Sequence, residues 1–506
     1  MALRRMVLWA MSLVFAPATH AAGFDQQVEA LVRPLANALS AFVFFKIELF
    51  GQQVPLIVLW LAVAATFFTF YMGFVNIRGL GLALRHVRGD FRDPGAGGEI
   101  THFQAVSTAI SGTVGIGNIG GVAVAIVVGG PGAAFWLVVA GFLSMSTKLV
   151  ECTLGVKYRR YNEDGSVSGG PMYYLEHYLS DRGKPGWGRL LGGFYALCLV
   201  IGCLGIGNMF QSNQAYVQFV IITGGEQSFF ADKGWLFGLL IATAVALVVI
   251  GGIKSIASVA TKLVPFMAVL YILSAIVIIS MSAEHLPAAF RLIFDNAFSL
   301  QSATGGLLGA LIVGFQRALF SNEAGIGSAS IAHSAVRTNE PASEGLVSLL
   351  EPFIDTVVIC TLSSLVIITT AYPNDLMGNG LEGIALTSAS FEHHVSWAPY
   401  PLALAALLFA FSTTIAWSYY GQKGWTYLFG EGHHMKALFN TVFCIFVALG
   451  CMIQLTAVLE FSDAMVFLIA IPNILGLYFY APEVKREVRD YMRRIRAGEV
   501  RPAADD

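Results

Sequence analysis

Apolar runs long enough to cross a bilayer recur through nearly the whole chain, near 54–76, 104–129, 133–156, 192–220, 235–251, 264–282, 304–330, 348–371, 398–420, 437–455 and 460–480. A hydrocarbon layer about 30 Å thick takes roughly 20 helical residues to cross. Lipid offers backbone groups no hydrogen-bond partner, so each run must close its own bonds as a helix. The pattern therefore predicts an all-α membrane protein of about 11 transmembrane helices. Composition agrees: the chain is 56% hydrophobic and 12% charged, where a soluble chain carries about a quarter charged residues.

Charge orients the layout. Of the 30 Lys and Arg, 22 fall near the alternate loops that begin at Arg78, Lys157, Lys254, Arg337, Lys423 and Lys485, against 4 in the opposite set, Arg33, Lys46, Lys233 and Arg291. Basic loops stay in the cytoplasm, so the C-terminus is expected inside and the mature N-terminus outside, in a cell inner membrane. Arg4 and Arg5, an apolar stretch from Met6 to Ala16 and small residues around Thr19-His20-Ala21 form the pattern of a secretory signal peptide over 1–21. An outer-face segment, 22–53, follows, with the transmembrane domain at 54–480. A basic cytoplasmic tail, 481–506, is expected to lie as a helix near anionic lipid. The six cysteines all lie in apolar segments without a CxxC pair, so they read as small buried hydrophobes.

Two spans carry features that plain membrane anchors lack. The second contains Ser111-Gly112-Thr113-Val114-Gly115-Ile116-Gly117-Asn118 followed by Gly120-Gly121. Each helical glycine costs about 1 kcal/mol relative to alanine, so the cluster predicts a break. Amides freed on the following half-helix suit a carboxylate, and carbonyls freed on the preceding half suit a cation. The seventh span repeats the device in Phe320-Ser321-Asn322-Glu323-Ala324-Gly325-Ile326-Gly327. Broken helices at matching places point to an inverted repeat with a site at its interface. In the fourth span Asn208, Gln211, Asn213 and Gln214 offer amides to a ligand, with interhelical bonding as the alternative. In the ninth, Ser412 and Thr413 place hydroxyls where a hard cation wants oxygen, or bond back to the previous turn; Trp417 lies one turn on. Charged residues within spans are costly. Lys148 is expected to pair with Glu151 three residues on, while Glu351 and Asp355 stand four apart. His393-His394 is expected to be solvated in an outer loop.

These residues resemble the alanine/glycine:cation symporter family. The shared stretches are Gly112-Thr113-Val114-Gly115 with Gly117-Asn118, Gly129-Gly130-Pro131-Gly132-Ala133 with Phe135-Trp136, Thr147-Lys148 with Glu151, Gly169-Gly170-Pro171-Met172-Tyr173-Tyr174, Gly252-Ile253 and Phe320-Ser321-Asn322-Glu323-Ala324-Gly325. The resemblance covers nearly all of the chain after the signal-like segment. It implies a LeuT-like 5+5 inverted repeat with two discontinuous helices, preceded by one extra helix, and symport of alanine or glycine with sodium. It implies substrate binding by Thr113, Gly115, Ile116, Gly117, Asn208, Gln211, Phe320 and Trp417, and sodium binding by carbonyls near Ser111 and Val114 with the hydroxyls of Ser412 and Thr413. Ile116 departs from the threonine usual in the family and removes one donor beside the carboxylate; Leu137-Val138 replaces a more aromatic continuation after Trp136.

The expected partners are a small neutral amino acid, Na+ and the lipid bilayer, with no cofactor, no other metal and no nucleic acid. The rival reading is a same-fold transporter coupled to protons or carrying another small amino-acid-like substrate. No HExxH, GxSxG or GxxxxGK run supports an enzyme.

Overall fold

The computed structural model describes residues 33–49, 52–91, 95–299, 306–379, 381, 383–452 and 456–500. The expected signal segment lies outside them. Residues 33–43 are helical, and a hairpin of β1 (Lys46–Leu49) and β2 (Gln52–Pro55) leads into the bundle. The described part of the segment expected at the outer face is thus part helix and part hairpin.

The bundle runs α1 (Leu56–Tyr71), α2 (His102–Thr113), α3 (Gly120–Gly129), α4 (Gly132–Lys157), α5 (Pro185–Ile222), α6 (Gly234–Val249) and α7 (Gly252–Met281). It continues with α8 (Gly306–Asn322), α9 (Ala329–His333), α10 (Pro341–Ala371), α11 (Gly383–His394), α12 (Pro399–Phe429), α13 (His433–Gly450) and α14 (Thr456–Arg496). Each half opens on a broken helix, α2/α3 and α8/α9, and continues through four further apolar helices, with the shorter α11 inserted in the second. By length and composition seven of the described helices can cross a membrane, and α2 with α3, bent by 63°, makes an eighth. Of the eleven runs expected to span, α1 and α6 have 16 residues each and α8 has 17. These three fall short because the apolar runs in the sequence include residues of the flanking turns.

Local chemistry sets the boundaries. Thr101 caps α2 through a reciprocal pair: its hydroxyl accepts from the Gln104 amide and the Gln104 side chain accepts from the Thr101 amide. Proline opens α5, α10 and α12, where its missing N–H costs nothing. In α5 a π-helical segment, Gly205–Met209, interrupts the α-helix.

Two charged segments differ from expectation. The tail is no separate surface helix, because α14 continues unbroken past residue 480. It packs against the protein: Arg494 pairs with Glu340 at 2.6 Å, Lys157 contacts Glu483 and Glu487, and Tyr491 packs on His86. Lys423, expected to open a loop, lies inside α12 and donates to the Ser168 hydroxyl at 2.8 Å.

Small residues let the helices approach closely. Where α8 crosses α4, a Cβ at Gly314 would stand 2.7 Å from both the Ala133 carbonyl and the Trp136 Cβ. Gly314→Leu is expected to force these helices apart and cost about 1–3 kcal/mol or more. The check is the thermal midpoint of monodisperse protein in detergent, compared with a substitution at lipid-facing Leu247, which is 75% exposed and should leave the midpoint unchanged.

Candidate substrate and ion site

The break between α2 and α3 is a short extended segment. Val114 and Gly115 leave the helical region (φ −74°, ψ 96° and φ −134°, ψ −163°) before a 3-10 turn over Ile116–Asn118. The Gly115 amide donates to the Asn118 side-chain oxygen at 2.8 Å. The Ile116 and Gly117 amides, at the start of that turn, donate to no other backbone group among the described residues. Gly117 is exposed to the cavity beside it, and a Cβ there would meet nothing within 4 Å. The second break opens after α8 with Glu323, Gly325 and Gly327 all at positive φ (55°, 94° and 90°).

One polar strut joins the two breaks. The Asn118 amide nitrogen donates to Ser321 at 2.9 Å and to an Asp355 carboxylate oxygen at 2.6 Å. The other Asp355 oxygen accepts from Ser321 at 2.8 Å and from Thr356 at 2.7 Å. Asp355 therefore ties the turn before α3 to α8 and α10, a role its spacing from Glu351 did not disclose. All four side chains are fully buried or nearly so.

A cavity of about 480 Å³ lies between the breaks. Of the eight expected substrate residues, Thr113, Gly115, Ile116, Gly117, Gln211, Phe320 and Trp417 line it. Trp417 is anchored by its indole N–H, which donates to the Gly112 carbonyl at 3.3 Å. Gln211 donates to the Ile206 carbonyl at 3.2 Å, while its side-chain oxygen has no partner and lies near Gly115. The Thr113 hydroxyl bonds back to Ala109 at 3.3 Å.

Asn208 is the exception. It donates across to the Phe443 carbonyl of α13 at 2.8 Å and lies outside the cavity lining. The π segment of α5 turns it toward α13, so its role is interhelical bonding. Sequence periodicity missed several lining residues: Ser40 and Phe44 from the N-terminal segment, Arg317 and Glu323 around α8, and Glu460 and Asp463 from α14. Of these, the charges inside expected spans, Arg317, Glu323, Glu460 and Asp463, carried a signal in the sequence.

The four expected sodium residues meet at the same break. The Ser412 hydroxyl lies 3.5 Å from the Ser111 carbonyl, and the Thr413 hydroxyl 3.5 Å from the Val114 carbonyl. The Ser111 hydroxyl donates to the Ser412 carbonyl at 2.6 Å, clamping α2 to α12.

Away from the cavity runs a buried chain of charge. Lys148 pairs with Glu351 at 2.9 Å, not with Glu151 as expected. Glu151 instead accepts from the Gly325 amide at 2.8 Å and from Asn473 at 2.9 Å, because the broken strand of backbone needs an acceptor there. Glu344 bridges His102 of α2 and His333 of α9, the latter at 2.6 Å. Of the two histidines expected to be solvated in a loop, His393 is exposed at the end of α11, while His394 bonds the Ser282 hydroxyl at 2.6 Å.

A polar cavity at two helix breaks, enclosed by apolar helices, is the build of a membrane solute carrier. The chain belongs to the sodium:alanine symporter family, whose pattern it matches over residues 38–505. It is a multi-pass membrane transporter of the sodium-coupled amino-acid symport class and not an enzyme. Sodium/alanine symporter AgcS of Methanococcus maripaludis is 37% identical over 471 residues, 93% of this chain and 99% of that protein. The probable sodium/glutamine symporter GlnT of Bacillus subtilis is 33% identical over 435 residues, 85% of this chain and 87% of that one. Among solved structures, MhsT in complex with L-phenylalanine superimposes with a TM-score of 0.53 at 16% identity, covering 78% of this chain and 99% of MhsT. That likeness is one of fold, the LeuT-like repeat with two discontinuous helices.

The buried pair yields a stability prediction. Glu351→Ala leaves Lys148 charged with its nearest carboxylate gone, which should cost about 3–5 kcal/mol. Adding Lys148→Met removes the stranded charge and should recover most of that loss, read by chemical unfolding in detergent.

Proposed function

We propose that the chain carries alanine or glycine into the cell together with sodium, by alternating access in a cell inner membrane. The observation that carries this reading is the pairing of the Ser111 and Val114 carbonyls with the Ser412 and Thr413 hydroxyls at 3.5 Å. Oxygens that share a hard cation at about 2.4 Å sit roughly 3.4 Å apart, so sodium fits between them with little rearrangement. The same Val114–Gly115 kink presents the Ile116 and Gly117 amides to the cavity. Sodium fixes the kink, the kink holds the substrate carboxylate, and the two ligands are thereby coupled.

The unpartnered Gln211 oxygen suits the substrate ammonium, and Ile116, Phe320 and Trp417 leave room for a small apolar side chain. Asn208, bonded to α13, has no part in this. The names of the relatives support an amino acid as substrate, and the 22 basic residues on one side support an inside C-terminus and an outside N-terminus. One sodium crossing a potential of about 100 mV contributes roughly 2.3 kcal/mol, and a tenfold gradient about 1.4 kcal/mol. At one-to-one coupling this drives accumulation on the order of 500-fold.

The test is labelled alanine uptake into proteoliposomes with and without an inward sodium gradient, competed by glycine, serine and leucine. Saturable, sodium-dependent uptake that glycine suppresses and leucine does not is the expected result. Thr413→Ala should raise the sodium concentration for half-maximal uptake about tenfold, the loss of roughly one oxygen ligand worth 1.4 kcal/mol. Uptake driven by a proton gradient alone would overturn the coupling ion; sodium-driven uptake of glutamine but not alanine would overturn the substrate.

A further inference from the structure

The cavity between the breaks is larger than alanine fills. At about 480 Å³ it falls in the range that takes drug-sized ligands. The groups suited to an amino acid's carboxylate and ammonium, the Ile116 and Gly117 amides and the Gln211 oxygen, lie at the α2/α3 break. Arg317 of α8 and Asp463 of α14 line the same cavity and have no part there.

Aromatic packing sets where these two charges stand. Phe320 of α8 and Phe467 of α14 meet with ring centroids 4.9 Å apart. Arg317 precedes Phe320 by three residues and Asp463 precedes Phe467 by four, so each lies one turn, about 5 Å, along its helix from that contact. With α10, α12 and α13 crossing between them in the chain, α8 and α14 run in the same direction, and the two charges stand at one level. Both are half-buried, and their charges act on each other. Yet among the described residues neither makes an ion pair or a hydrogen bond.

Opposite charges held apart in a partly dry cavity are completed by a group that bridges them. The bridge must accept from the guanidinium and donate to the carboxylate. A primary carboxamide does both, its oxygen toward Arg317 and its N–H toward Asp463. A side-chain carboxylate satisfies Arg317 but meets Asp463 and Glu460, which line the same cavity. An ammonium satisfies Asp463 but meets Arg317. A serine hydroxyl can donate and accept, but at one carbon's length it ends short of the next turn of α8.

From this geometry we propose that Arg317 and Asp463 form a side-chain subsite for amino acids that end in a primary carboxamide, with glutamine the best fit, beside the alanine site. The inference rests on the reading of the cavity as an amino-acid site.

The experiment titrates full-length purified protein, in detergent with sodium chloride, with alanine, glutamine, glutamate and methionine by calorimetry. Methionine is close to glutamine in length and lacks the amide. Glutamine should bind about tenfold more tightly than methionine or glutamate, the scale of one hydrogen bond to a charged group. Arg317→Met and Asp463→Asn should each lower the ratio of glutamine to alanine affinity about tenfold. If either variant does not fold, the four ligands on the unaltered protein still decide. Equal binding of glutamine and methionine would mean that water fills the gap and would overturn the proposal, as would variants that weaken alanine and glutamine alike. Alanine binding without glutamine binding overturns this inference and leaves the alanine reading standing; binding of no amino acid overturns both.

Discussion

Backbone that leaves the helix inside a membrane must find other partners, and the structure of this carrier is organised around that need. Every unwound peptide group at the two breaks is a liability of several kcal/mol in hydrocarbon. The chain answers with side chains from elsewhere. Asn118 accepts from the Gly115 amide, Glu151 accepts from the Gly325 amide, and Asn473 donates to the Gly325 carbonyl at 2.8 Å. These acceptors are themselves buried and need their own partners, which draws in Ser321, Asp355 and Thr356. The polar interior is thus a consequence of the two breaks. The groups left over, the Ile116 and Gly117 amides and the Gln211 oxygen, all border one cavity, and there a ligand can supply the missing bonds.

The same reasoning separates what holds the two broken helices together from what lets them work. Away from the cavity, Arg159 donates to the carbonyls of Gly97, Ser334, Val336 and Thr338, at 2.6–2.9 Å, and Glu344 clasps His102 and His333. Both contacts join the start of α2 to the end of α9. The two half-helices are therefore fastened to each other, and any large motion must carry them as a unit or break buried charge-assisted bonds. Contacts from α2 to α12 carry no charge: one hydroxyl clamp from Ser111, two long hydroxyl–carbonyl pairs and the Trp417 indole on the Gly112 carbonyl. A bundle with one stiff join and one soft join is suited to rocking about the soft one, which is where the ion is proposed to sit.

Much of this was legible in the sequence because lipid narrows the choices. Apolar length fixed the class, and glycine clusters at Gly112–Gly121 and Gly325–Gly327 located both breaks through their cost in helix propensity, although close helix packing was a competing reason for such glycines. The cavity residues on the broken segments followed from being next to the breaks. What the sequence did not disclose depends on helix rotation and on distant partners. A π segment of five residues in α5 re-aims every side chain after Leu204, so the amides counted as one group divide: Gln211 faces the cavity and Asn208 faces α13. Lys148 was paired with Glu151 by spacing alone, yet its partner Glu351 lies 203 residues away.

The misreading of Lys148 shows why spacing is a weak guide to charge inside a membrane. On an exposed helix, neighbours three or four residues apart are the only fixed partners available, and their bond is worth a few tenths of a kcal/mol. In a dry interior an ion is held by whichever donors and acceptors leave no group unpaired. Glu151 is needed at the Gly325 amide because Gly325 sits in a break and has no helical acceptor. That requirement takes Glu151 from Lys148 and hands the lysine to Glu351, which His333 approaches from its other side at 3.7 Å. The pattern of ion pairs in α4, α9 and α10 thus follows from one unwound peptide in α8/α9, and from the same cause that opens the cavity.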